Sequence, residues 1–336
     1  MQEAKKRIAF LATGGTIASV RGPEGLRPAF TEKEILKLVP EISKLAEIEG
    51  SLIMNIDSSN MQPEDWVNIA RAVEKVLWEF DGVVVSHGTD TMAYTAAALT
   101  YMLTYLKKPV VLTGAQKSIS EEKSDARRNL IDAVRVAASG RPGVFVVFDG
   151  KVIFGDRASK IKTASFDAFW SINAPFAGRM DGDFIEWNEE ALKTEGERIK
   201  KVWDVLSKKA PISPEDAATR PAALFDQLDP RVLLVKLYPG IEPEVLLFAK
   251  ERGYHSVLIE SFGAGGVTFR EPRNLLPAIR ELINSGITVA VTTQVLFEGV
   301  DLELYEVGKK ALEAGAISTG TDTREAALAK LMLRCI

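Results

Sequence analysis

The chain has 336 residues, past the size at which one hydrophobic core usually stops growing, so two domains are expected. Its composition, 46% hydrophobic and 26% charged without a low-complexity tract, is that of an ordinary soluble globular protein. A net charge of −4 with scattered Lys and Arg disfavours a basic nucleic-acid-binding face, and a lone cysteine, Cys335, rules out an intrachain disulfide or cysteine metal cluster.

Lys5-Lys6-Arg7 precedes a short apolar run, Ile8-Ala9-Phe10-Leu11-Ala12, that ends in Thr13-Gly14-Gly15-Thr16. That reads as a strand end rather than a signal peptide, and no apolar stretch approaches the ~20 residues a membrane span needs. A cytoplasmic protein without a membrane partner is expected. After the Gly/Pro-rich loop Gly22–Pro28, a helix opens at Thr31, with Glu34 completing a capping box. Leu52–Ile56 is the second strand, ending in Asp57-Ser58-Ser59-Asn60. Pro63-Glu64-Asp65 starts a helix that reaches about Phe80, since proline suits the first turn and acids suit the N-terminus.

Gly82–Ser86 and Pro109–Thr113 are the next strands, with a buried helix from Met92 to Leu106 between them. From Val144 to Gly155 two β-rich runs flank Asp149-Gly150, a hairpin signal. Residues 191–226, rich in Glu, Lys and Pro and holding an amphipathic helix around Ile199–Val205, read as an interdomain connection. Strands Val232–Leu237, Ser256–Glu260 and Thr288–Thr292, each followed by a helical pattern, predict a second parallel α/β domain. The expected domains are thus 1–190 and 227–336.

The chemistry concentrates at two strand ends, Thr13-Gly14-Gly15-Thr16-Ile17-Ala18 and His87-Gly88-Thr89-Asp90-Thr91. The carboxyl ends of strands in an open parallel sheet share one rim, where such sheets bind ligands. Two hydroxyls, a carboxylate and several glycines meeting there suggest a hydrolase with an alkoxide-type nucleophile. Neither a Gly-x-Gly-x-x-Gly spacing nor a P-loop lysine supports a phosphate cradle. His87 and His255, the chain's two histidines, read as orienting or structural, so neither a Ser-His-Asp arrangement nor a zinc site is expected.

Both strand-end motifs together resemble the signatures of the bacterial-type L-asparaginases. The likeness continues through Asp57-Ser58-Ser59, Leu112-Thr113-Gly114-Ala115-Gln116, Asp156-Arg157-Ala158-Ser159-Lys160, Thr292-Thr293-Gln294 and Glu325-Ala326-Ala327, with spacing most similar to the type I, cytoplasmic and archaeal branch. The resemblance implies a larger Rossmann-like N-terminal domain with a mainly parallel sheet and a hairpin, plus a smaller C-terminal parallel α/β domain. It implies conversion of L-asparagine to L-aspartate and ammonia, with no metal or organic cofactor, in a homodimer or homotetramer. Thr16 becomes the primary nucleophile, and Thr89, Lys160 and Asp90 a hydroxyl-amine-carboxylate relay. Asp57, Ser58, Ser59, Thr89, Asp90 and Ala115 become the substrate-binding set. Lys160 serves as a base only in its neutral form, which burial favours and Asp90 opposes. Which threonine attacks first stays open.

Two departures stand out. Family members usually carry a loop tyrosine where this chain has Leu26, which neither donates nor accepts a hydrogen bond. Mammalian members of the branch also lack it and use a tyrosine of the second domain, a position that falls on Tyr305 here. The chain also stops at Cys335-Ile336, where relatives usually continue for about a helix. Two other readings compete. One is the ammonia-releasing D subunit of a glutamyl-tRNA amidotransferase, which carries a further N-terminal domain. The other is a non-catalytic amino-acid sensor, against which the intact Thr16, Thr89, Asp90 and Lys160 argue.

Overall fold

The computed structural model describes residues 5–15, 19–22, 25–28, 32–209 and 218–336, which divide into two units between Asp226 and Gln227. In the first unit an eight-stranded sheet is built from β1 (Arg7–Gly14), β2 (Glu47–Ile56), β3 (Gly82–Ser86), β4 (Pro109–Thr113), β5 (Gly143–Phe148), β6 (Lys151–Phe154), β7 (Gly178–Asp181) and β8 (Phe184–Trp187). Their order is β8-β7-β6-β5-β4-β3-β1-β2. The strands from β2 to β5 in that order run parallel, and β6, β7 and β8 continue the sheet antiparallel. β1, β3 and β4 are covered on both faces, which is why they read as unbroken apolar runs. Asp149 and Gly150, both at positive φ (49° and 72°), form the two-residue turn from β5 to β6.

This unit also contains helices α1 (Glu32–Leu38), α2 (Pro63–Val76), α3 (Met92–Met102), α4 (Ala126–Ala138) and α5 (Glu189–Lys209), with a short further helix at Ile42–Leu45. Phe10, Val84, Val111 and Phe145 of the sheet pack with Leu130, Val134 and Ala137 of α4 in one apolar core. α3 is buried along nearly its whole length and packs on β5 and on the short strand Ala158–Lys160.

The second unit holds a four-stranded parallel sheet in sequential order: β9 (Val232–Lys236), β10 (Ser256–Ser261), β11 (Thr288–Thr293) and β12 (Ile317–Ser318). Its helices are α6 (Glu244–Glu251), α7 (Leu276–Asn284), α8 (Glu306–Glu313) and α9 (Arg324–Met332). Val257, Ile259, Val289 and Val291 pack with Leu246, Ile279 and Leu282 at its centre. No described helix is long and apolar enough to cross a membrane.

Several elements differ from the sequence expectation. Of the stretch expected as the loop Gly22–Pro28, the described residues Gly22 and Gly25–Pro28 belong to an antiparallel ribbon in which Ser19–Gly22 pairs with Gly25–Pro28, and residues 23–24 lie outside the described residues. The second strand starts at Glu47 rather than Leu52, because an edge strand half open to water needs no apolar run. Its Glu49 carboxylate takes a 2.8 Å bond from the Arg7 guanidinium of β1. The helix expected to reach Leu106 ends at Met102, where Leu103–Thr104 turns into a ribbon with Ala223–Leu224.

Residues 191–226 are not a simple connection. Most of their first half lies in the 21-residue α5, and both α5 and Ala223–Leu224 belong to the first unit. The buried Glu195 of α5 accepts from Arg157 at 2.8 and 3.2 Å, and Arg198 pairs with Glu195 and the buried Asp156. Residues 210–217 and the capping Thr31 lie outside the described residues.

Candidate active site

The register of the parallel strands brings Gly14 beside Ile56, Ala12 beside Ser86, and Ser86 beside Thr113, so these strand ends lie on one rim. The three segments meet so closely that side chains are excluded. Gly15, at φ 84°, lies where a Cβ would collide with the backbone of Gly88. A Cβ on Gly88 would sit 2.5 Å from Ser58 Oγ.

His87 is fully buried beneath this contact. Its Nδ1 lies 2.7 Å from the Gly88 carbonyl, which can only accept, so Nδ1 carries the proton. Nε2 is then an acceptor for Thr95 Oγ1 at 2.9 Å. Burial pushes the imidazole pKa down to about 4, so the ring stays neutral and anchors the turn instead of moving protons. That is the orienting role expected from the sequence.

Thr89, one residue past that turn, is 5% exposed. Lys160 comes to it from the Ala158–Lys160 strand, which pairs with Phe169–Ser171. The Lys160 ammonium donates to Thr89 Oγ1 at 2.8 Å and to Asp90 Oδ1 at 2.7 Å. Lys160 is largely covered while Asp90 is open to solvent. The second Asp90 oxygen faces Ser59 Oγ at 3.5 Å. Asp57 caps the short turn Ser58–Asn60 by accepting from Ser59 N at 2.8 Å, and Thr91 Oγ1 donates to the Ser58 carbonyl at 2.7 Å. Asp57 thus caps this single turn and not the helix at Pro63, while Ser58 is buried against Gly88 and Ser59 and Asp90 face each other.

Ala115 is buried in the turn that follows β4. Its neighbour Gln116 supplies a contact that the sequence alone did not assign. Gln116 Nε2 donates to the Ser165 carbonyl at 3.1 Å, which turns Oε1 toward the Thr89 hydroxyl at 3.4 Å. The signal was Gln116 itself, which stands in the Leu112–Gln116 motif without a role.

Thr89, Asp90, Lys160, Asp57, Ser58, Ser59 and Ala115 thus all lie in the first unit, with Lys160 bonded to both Thr89 and Asp90. Thr16 and the side chain of Leu26 lie outside the described residues. Tyr305 belongs to the second unit, where it precedes α8 and is exposed. Among the described residues no group of three or more His, Cys, Asp or Glu side chains is arranged to hold a metal ion. Chemically, the arrangement can deliver a proton to, or withdraw one from, a hydroxyl at the mouth of a parallel sheet.

The mainly parallel α/β fold joins a hydroxyl, an ammonium and a carboxylate at its strand ends, and comparison with known proteins identifies the chain as an amidohydrolase. The chain belongs to the asparaginase family: residues 7–193 match the family "Asparaginase, N-terminal" and residues 231–335 the "Glutaminase/Asparaginase C-terminal domain". It is 41% identical over 328 residues to an L-asparaginase of Thermococcus kodakarensis, covering 97% of this chain and 92% of that protein. It is also 39% identical over 338 residues to the D subunit of a glutamyl-tRNA(Gln) amidotransferase from Pyrococcus furiosus, covering 97% of this chain and 71% of that relative.

Solved structures agree with the fold. The thermostable L-asparaginase from Thermococcus kodakarensis superposes with a TM-score of 0.83 at 40% identity, over 97% of this chain and 92% of that one. L-asparaginase I from Vibrio cholerae gives 0.80 at 29% identity, over 98% and 93%.

Proposed function

We propose that this enzyme hydrolyses L-asparagine to L-aspartate and ammonia through a threonine acyl-enzyme. Thr16 Oγ attacks the side-chain amide carbon, forming an ester as the C–N bond breaks and ammonia leaves. Water then cleaves the ester, releasing L-aspartate and restoring the hydroxyl. Thr89, Lys160 and Asp90 move the protons: Lys160 in its neutral form takes the hydroxyl proton and passes it to the departing amide nitrogen, while Asp90 stabilises the transient Lys160 ammonium. Asp57 and Asp90 receive the substrate ammonium, Ser58 and Ser59 its α-carboxylate, and the backbone around Thr89 and Ala115 the developing oxyanion. Tyr305 takes the place of the tyrosine missing at Leu26. The active form is a cytoplasmic homodimer or homotetramer needing no metal or organic cofactor.

The observation that carries this reading is the bonded trio of Lys160, Thr89 and Asp90 within an asparaginase-family chain. Ammonia release from L-asparagine and L-glutamine by the purified enzyme, beside Thr16→Ala and Thr89→Ala, tests it. Turnover of asparagine lost in both variants supports the mechanism; asparagine binding without ammonia release sinks it.

A second reading has its own support, since the identity to the archaeal amidotransferase relative extends over 97% of this chain. In that role the same chemistry would release ammonia for a transferase partner. Brisk asparagine turnover by the isolated chain speaks for the first reading. Turnover that appears only with a transferase partner and its charged tRNA speaks for the second.

A further inference from the structure

We propose that Asp125 and Asn129 are positioning residues of the reaction, clamping the Gly114–Lys117 turn so that Gln116 stays against Thr89. The inference rests on the reading of Thr89 and Lys160 as reacting groups.

Asp125 stands at the N-terminal boundary of α4, yet its carboxylate makes no capping bond to its own helix. An acidic residue there ordinarily accepts from the N–H groups of the first helical turn. Asp125 instead turns to the loop behind it. The Gln116 amide donates to both of its oxygens at 3.0 and 3.1 Å, and the Lys117 amide donates to Oδ1 at 3.0 Å. The side chain is 7% exposed, and a buried carboxylate is retained only where hydrogen bonds offset its desolvation.

Asn129, one helical turn on and 1% exposed, completes the clamp. Its Nδ2 donates to Asp125 Oδ2 at 3.1 Å and to the Gly114 carbonyl at 3.0 Å. Its Oδ1 accepts from the Asp149 amide in the turn between β5 and β6 at 3.0 Å. Each polar atom of the amide is therefore engaged, which fixes the orientation of the group.

The turn is held on both sides. A Cβ on Gly114 would collide with the His87 carbonyl, so the turn abuts the end of β3 directly. Gln116, its backbone pinned by Asp125, reaches Thr89 with one side-chain atom and the Ser165 carbonyl with another. The clamp thereby sets the distance between the Thr89 strand end and the loop beyond Lys160. Displacements of about 1 Å from such sites can cost on the order of 10²-fold in rate.

Asp125→Asn keeps the volume but removes the charge and replaces one accepting oxygen by a donor. The change weakens the bonds to both turn amides and leaves either the Lys117 amide or Asn129 Nδ2 without its acceptor at this residue. Steady-state ammonia release and amide hydrogen exchange are measured on wild type, Asp125→Asn, Asn129→Ala and Asp132→Asn. The last replaces another buried carboxylate of α4, one facing Arg128 and Arg135 rather than the turn. The expected result is a kcat for L-asparagine about ten- to a hundred-fold lower in Asp125→Asn and Asn129→Ala, with KM within about twofold. Exchange at Gln116 and Lys117 speeds up in Asp125→Asn, whereas Asp132→Asn lowers the melting temperature and changes neither readout.

A wild-type kcat in Asp125→Asn, or a raised KM at constant kcat, overturns the proposal. A wild type without turnover removes the asparaginase reading instead. In that case exchange at Gln116 and Lys117 still decides the clamp: unchanged rates in Asp125→Asn reject it, and faster rates support it.

Discussion

The two parallel sheets of this protein present hydroxyls at comparable strand ends and use them differently. In the second unit they satisfy the backbone: Ser261 Oγ donates to the Thr292 carbonyl at 2.6 Å, and Thr293 Oγ1 to the Gly263 carbonyl at 2.5 Å. Gln294 spends its amide on the carbonyls of Leu237 and Glu260. The strand-end residues of the first unit do the same, Thr13 donating to the Ser86 carbonyl and Thr113 to the Val147 carbonyl. Thr89 differs, for its oxygen meets an ammonium and a carboxamide. A carbonyl partner holds a hydroxyl in place, whereas an ionisable partner can change its protonation. The fold supplies a rim in both units; in the proposed mechanism the partners of the hydroxyl decide which rim does chemistry.

The largest test of this contrast is Lys160→Met beside Thr293→Val. Removing the ionisable partner of Thr89 should lower kcat about 10²- to 10⁴-fold, the usual worth of general acid–base assistance. Removing a hydroxyl bonded only to backbone groups, the Gly263 carbonyl and the Val295 amide, should cost stability and leave kcat within about twofold. Equal losses in the two variants would erase the distinction between the rims.

Arg324→Met probes the second rim. Arg324 Nη1 donates to the buried Glu260 carboxylate at 3.0 Å. Leaving that charge without its arginine should cost about 3 kcal/mol, seen as a lower denaturant midpoint. Neither residue belongs to the proposed catalytic set, so kcat measured on the folded protein should not fall.

Acid should find the first unit before the second. His87 titrates at about 4 when folded and near 6.5 when unfolded, so the unfolded chain binds the extra proton between those values. The stability it contributes is complete above pH 6.5 and falls as pH drops toward 4, by about 3 kcal/mol in all. His87→Gln should flatten that part of the stability–pH curve. In the second unit, hydrogen bonds from Arg231 hold the Asp229 carboxyl below the usual carboxylate range, so its contribution is lost only at still lower pH. A wild-type curve flat between pH 6.5 and 4 would contradict the buried neutral ring.

Legibility in the sequence followed the range of the interactions. β1, β3 and β4 were readable because a strand covered on both faces must be apolar throughout, and Asp149-Gly150 because a two-residue turn is local. The edge strand from Glu47 was partly hidden, since its solvent face admits charge. α5 was read as a fragment of a connection because its Glu and Lys residues look solvated. The buried pair of Glu195 and Arg157 joins positions 38 residues apart, which no local pattern reveals. In the site, Thr89 and Asp90 followed from a strand end, but Lys160, 71 residues from Thr89, came only through family resemblance. Asn129 escapes a local pattern because its partners Gly114 and Asp149 lie 15 and 20 residues away on separate turns. Asp125 escapes because it stands where an ordinary helix cap is expected, while its partners in the turn lie 8 and 9 residues back.

Glycines give the finest version of the comparison. Gly88 and Gly196 are both in the first unit, one at the rim and one on the exposed side of α5. Gly88→Ala would force a methyl to within 2.5 Å of Ser58 Oγ, an overpacking that should cost about 1–3 kcal/mol and displace Thr89 from Lys160. Both melting temperature and kcat should fall. At Gly196 a Cβ meets nothing within 4 Å, and a helix interior favours alanine over glycine by about 1 kcal/mol. Gly196→Ala should therefore raise the melting temperature by roughly 2–4 °C at unchanged kcat. If Gly196→Ala also slowed turnover, α5 would have to transmit strain through Glu195 and Arg157 to the strand bearing Lys160. The boundary between scaffold and site would then have to be redrawn to include that helix.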